Sequence, residues 1–208
     1  MRVRNLVSCV CLALLAMVWI AGCAKTNLTN LWRNPEASPL ESLLVVSLER
    51  DPSLQRQWED AITAEFQAYG ILARPAYSLF PSALPDSQQL AVVVRRDHYD
   101  GVVVTHRLAP TQTGTFDSDY AKTAPSGVNE YWRSWYHTHY MAATQFAPPR
   151  EGDARFQIDV VGTSGGGRLA WTGSTTPIDP LDADNVQGEV CGQLVQELTR
   201  QGIVAKRQ

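Results

Sequence analysis

Cysteine is almost missing where a fold could use it. Of four cysteines, Cys9, Cys11 and Cys23 fall at the start of the chain and only Cys191 lies beyond them. A disulfide framework, or a zinc site of paired thiolates, is excluded for the bulk of the protein, so its stability must come from an apolar core. Basic charge is scarce as well: 18 Lys and Arg stand against 21 Asp and Glu, a formal charge of −3. Broad nucleic-acid binding needs clustered cations that displace counterions, so we expect no nucleic-acid partner. Long hydrophobic runs are missing too. The one long apolar or small stretch, Leu6 to Ile20, falls short of the roughly 20 residues that a membrane-spanning helix requires. No repeat with a period of about 20 to 50 residues recurs, which excludes a solenoid or propeller.

What is present is clearest at the start. Arg2 and Arg4 precede the Leu6–Ile20 stretch, and Ala21, Gly22 and Cys23 close it. A basic n-region, a short h-region and small residues at the cut make a signal peptide. Ile20-Ala21-Gly22-Cys23 resembles the lipobox of bacterial lipoproteins. The resemblance implies cleavage after Gly22 and diacylation of Cys23, hence a soluble domain held at a bilayer by acyl chains and not by a spanning helix. Ala24, not aspartate, follows the cysteine, which in that family implies the periplasmic face of the outer membrane. Loss of Arg2 and Arg4 moves the formal charge from −3 to −5. The expected organisation is a signal peptide over 1–22, a lipidated polar tether over 23–42 and one domain over 43–204.

Within that domain, "LLVVSLE" from Leu43 is a short β-rich run, as expected of a strand covered on both faces. Asp51 and Pro52 then offer an N-cap and a first helical residue. Leu54, Trp58, Ile62, Phe66 and Tyr69 recur at helical spacing until Gly70. "ILARPAY" reads as a second strand, "PDSQQLAVVVRRD" as a helix capped by Asp86 or Ser87, and "VVVTHRL" as a third strand. This β-α-β-α-β order predicts parallel strands with right-handed crossovers. An aromatic-rich insert over about 111–150 follows. "ARFQIDVVGTSGGGRLAWTGSTT" then alternates Phe156, Ile158 and Val160 against Leu169 and Trp171 around a glycine turn, which predicts an antiparallel hairpin. A last helix with Val186, Val190, Leu194 and Leu198 on one stripe ends near Gly202. The fold class is α/β (α+β): one mixed sheet with helices packed on it.

This layout, with "DGVVVTHRL" after the second helix and "FQIDVVGTSGGGRLAWTGS" before the closing one, resembles bacterial envelope lipoproteins of uncharacterised function. Their α/β domain is similar to the TolB N-terminal domain and to the curli-secretion and penicillin-binding-protein-activator lipoproteins. Members of that group are accessory or assembly proteins, so the resemblance implies no catalysis, no cofactor, and an envelope protein as partner.

Three groups of residues bear on chemistry. Gly162-Thr163-Ser164-Gly165-Gly166 matches G-x-S-x-G literally, but that motif needs a strand-to-helix turn and here a strand follows, so a hairpin turn is expected. His137 and His139 would project the same way from a strand, as the start of a metal site needs, with His106 or Asp97 as a distant third ligand. They are also the residues on which an enzymatic alternative, a periplasmic hydrolase or metal-dependent enzyme, would rest. "YWRSWYHTHY", residues 131–140, read as a strand, would carry rings on both faces. It is core packing, a partner surface formed by Tyr131, Trp132, Trp135 and Tyr136, or a platform for stacking a sugar or base. Cys191 beside the last helical stripe reads as a small buried hydrophobe.

Overall fold

The computed structural model describes residues 28–108, 136–141, 144, 155–164, 167–178 and 183–206. They form strand β1 (Leu28–Arg33), β2 (Ser42–Ser47), helix α1 (Pro52–Ala68), β3 (Leu72–Pro75), a 3-10 turn (Ala76–Ser78), α2 (Ser87–Arg96), β4 (Gly101–Leu108), a short helix α3 (136–141), β5 (Arg155–Gly162), β6 (Arg168–Thr175) and α4 (Ala183–Arg200). The six strands make one mixed sheet in the order β1-β6-β5-β4-β2-β3. The β3-β2-β4 half is parallel and the β4-β5-β6-β1 half antiparallel, as the element order and the hairpin pattern predict.

Local chemistry sets the helix boundaries. The Asp51 side chain accepts from Ser53 N and Pro52 opens α1. Asp86 and Gln89 form a reciprocal capping box at α2, satisfying backbone N–H groups that have no helical partner. His98 leaves α2 in a left-handed conformation (φ 56°), while Gly70 and Gly202, after α1 and α4, have φ 76° and 68°.

Each face of the sheet has its own core. On the first, Trp58, Ile62 and Phe66 of α1 meet Cys191, Leu194, Val195 and Leu198 of α4 over Val45, Val103, Ile158, Val160 and Trp171. On the second, Leu90, Val93 and Val94 of α2 and Tyr136 of α3 cover Leu44, Val46, Val102, Val104 and Val161. Leu54, at the start of the predicted α1 stripe, is 41% exposed and lies outside the core that Trp58, Ile62 and Phe66 join. A buried carboxylate joins α1 to the strands: Glu59 accepts from Ser47 N, Gln55 Nε2 and Tyr77 N. Burial raises its affinity for a proton, and those three donors lower it.

The expected tether over 23–42 needs correction from Leu28 onward. Leu28–Arg33 is a strand paired antiparallel with β6, and Leu40 is buried and bridges Val204. Short, at a sheet edge and interrupted by a register shift between Asn30 and Trp32, β1 mixes Leu28, Leu31 and Trp32 with three polar residues and carries no alternating pattern. At the far edge, Gln67 Nε2 donates to Ala73 O, and Pro75 has no N–H to offer. Capping and proline blunt this edge against pairing with another chain.

The "DG" before β4 has a physical role. Asp100 Oδ2 accepts from the backbone N–H groups of Glu41 and Ser42, tying the start of β4 to that of β2. Gly101 lets Leu40 cross beneath the sheet, since a Cβ there would stand 2.6 Å from Leu40 Cδ1.

Candidate functional site

Three strands place polar residues together on the second face. Alternation along β4 puts His106 on the same side as Val102 and Val104, and the register sets Gln157 opposite His106, Asp159 opposite Val104 and Thr172 opposite Asp159. His106, Asp159 and Thr172 are buried.

Asp159 is held from two sides. Gln157 Nε2 lies 3.1 Å from each of its carboxylate oxygens and 3.4 Å from Thr172 Oγ1. Burial pushes the Asp159 carboxyl up to about 7, against the opposing effect of its bonds to Thr172 and Gln157. His106 Nδ1 stands 3.8 Å from Asp159 Oδ2, beyond hydrogen-bond length. Burial, then the neighbouring His139, holds His106 well below the usual imidazole range. Although the separation is that of an ion pair, the surroundings favour an uncharged imidazole beside a carboxyl that is half protonated near neutrality. We read the contact as a neutral imidazole beside the carboxyl and not as an ion pair, because desolvation outweighs attraction at that distance.

The lid over this cluster is α3. Residues 136–141 are helical, not the expected strand, and this changes what each predicted residue does. Tyr136 was a candidate for a partner surface. It is fully buried, its hydroxyl donates to Pro85 O at 2.9 Å, and its ring stacks on Tyr140 with centroids 6.3 Å apart. Burial raises the Tyr136 phenol well above its ordinary value, so it remains a neutral donor. Helical residues two apart point to roughly opposite sides, so His137 and His139 diverge and the pairing expected of a strand is lost. His137 is exposed, whereas His139 packs on His106 with centroids 4.3 Å apart and planes tilted by 58°. The structure thus brings His139 to His106, one of the two predicted third ligands, and leaves the other, Asp97, in an exposed ion pair with Arg96. Among the described residues, no three His, Cys, Asp or Glu side chains are arranged to hold a metal ion.

Tyr131, Trp132 and Trp135, and the lipidation candidate Cys23, lie outside the described residues. A helical signal was present in the sequence: Trp132, Tyr136 and Tyr140 recur every fourth residue. Ser164 sits in the turn between two antiparallel strands, with Gly167 at φ 91°. This is the hairpin turn expected of it, with no helix following the serine. Cys191 is fully buried and its thiol is pushed up to about 12, in keeping with a packing role.

No known family model and no curated protein matches the chain. Among solved structures it is similar to the PelC dodecamer from Paraburkholderia phytofirmans, in two crystal forms, one of a point variant. The TM-scores are 0.42 and 0.41, with 11% and 12% identity over 88% of this chain and 99% and 100% of theirs.

Proposed function

We propose that this is a lipid-anchored envelope protein on the periplasmic face of the outer membrane, acting by binding a protein partner and not by catalysis. The observation that carries the reading is Ile20-Ala21-Gly22-Cys23 directly after a competent h-region. The cluster under α3 supports a binding role. His106 packs against His139 of α3 and Asp159 lies buried beside His106, so both strongly shifted groups are taken up in packing. The partner surface falls to the rest of the aromatic segment, Tyr131, Trp132 and Trp135, next to the buried Tyr136.

Growing cells with a fatty-acid analogue should label the wild type and not Cys23→Ser; equal labelling of both would sink the anchored reading. Trp135→Ala should weaken capture of the envelope partner while changing thermal stability by less than about 1 kcal/mol. A loss of several kcal/mol would show that Trp135 is core.

A further inference from the structure

We infer that one end of the sheet faces the bilayer: the end carrying Leu28, Pro177 and Arg50, with lipid headgroups as the surface it meets. This rests on acylation of Cys23 and adds an orientation to it.

The argument is one of reach. Leu28 is already in the sheet, paired with Thr175, and its N–H donates to Gln193 Oε1 at 2.9 Å. Five residue steps separate it from Cys23, a span of at most ~18 Å. The pairings Leu28↔Thr175, Gln157↔Ser174, Arg107↔Phe156 and Ser47↔Thr105 put the start of β1 and the ends of β6, β4 and β2 at one end. The β5–β6 turn with Ser164, and the starts of β4 and β2, lie at the other. Along β5 the two ends are ~23 Å apart at the ordinary strand rise. Turning the domain over would lift Leu28 farther from the membrane than the leash allows, so the Ser164 end cannot be the one that touches it.

Reach alone sets this orientation, because charge at the near end is balanced: among the described residues Arg50, Arg107 and Arg155 stand against Glu49, Asp51 and Glu189, the last beside the Gln193 that holds Leu28. The guanidinium groups there can each bind a headgroup phosphate bidentately.

The test uses the full acylated chain in vesicles of phosphatidylethanolamine and phosphatidylglycerol containing a headgroup-nitroxide quencher. A maleimide fluorophore is attached at Pro177→Cys or Arg50→Cys for the near end and at Ser164→Cys for the far end. Buried Cys191 does not compete for the label. Quenching should be several-fold stronger at both near positions than at Ser164→Cys. A Gly/Ser insert of about 20 residues between Ala24 and Lys25 should largely erase the difference. Equal quenching at the two ends, with fatty acid confirmed on Cys23, overturns the orientation and leaves the anchor standing. A difference that survives the insert overturns the leash as its cause. Absence of fatty acid from Cys23 overturns anchor and orientation together.

Discussion

At the scale of single residues, the pair under α3 predicts how stability varies with pH. Asp159 binds its proton more tightly folded than unfolded, so its contribution is fully present below about pH 4 and is lost as pH rises through about 7, a change on the order of a few kcal/mol. His106 has the opposite sign. Its folded form resists protonation, so its contribution is present above about pH 6.5 and is lost as pH falls below that. Between pH 4 and 6.5 the two slopes oppose each other. Asp159→Asn should leave stability rising with pH across this window, and His106→Gln should leave it falling; urea unfolding at a series of pH values measures both. The same direction of slope in the two variants would show that the groups do not titrate as their burial implies. Tyr136→Phe keeps the ring but strands Pro85 O without its donor, and should cost about 1 to 3 kcal/mol in the same assay.

At the scale of elements, packing tolerances decide which substitutions matter. The Trp171 ring folds over Gly173, where a Cβ would lie 2.2 Å from the ring and 2.9 Å from Thr29 O of β1. Gly173→Ala must therefore move a fully buried indole, a strand or both, and should destabilise by about 1 to 3 kcal/mol. Trp58→Ala on α1, where the indole packs against Phe156 at 4.6 Å, should cost about 3 to 5 kcal/mol, and Leu194→Ala on α4 about 2 to 5. Thermal unfolding that shifts in neither of these two would mean that the helices do not cover the sheet. The helices were legible in the sequence because their signals are local: Asp51 and Pro52, the capping box of Asp86 with Gln89, and apolar residues at intervals of three and four. In α3 the aromatic side chains also have high strand propensity, and the alternating reading of residues 131–140 concealed the fourfold spacing of Trp132, Tyr136 and Tyr140.

For the whole molecule, β1 is the element with most consequence, since it turns a supposed tether into an edge of the sheet. Deleting residues 24–33 should expose the β6 edge and the core around Trp171, lowering the midpoint of thermal unfolding and promoting aggregation. An unchanged midpoint would return the segment to the role of tether.

The amino-acid sequence by itself determined the order of elements from Ser42 onward with the exception of α3, the caps that bound α1 and α2, and the switch from parallel to antiparallel pairing. Each depends on residues within a few positions of one another. Only the tertiary structure decided that Leu28–Arg33 is a strand, because its hydrogen-bond partner lies about 140 residues later in β6. Tertiary packing likewise decided that His106 meets His139 of a helix and that Asp159 is buried and not in water. Period-2 alternation tells which residues share a face of a strand, but what covers that face comes from elsewhere in the chain.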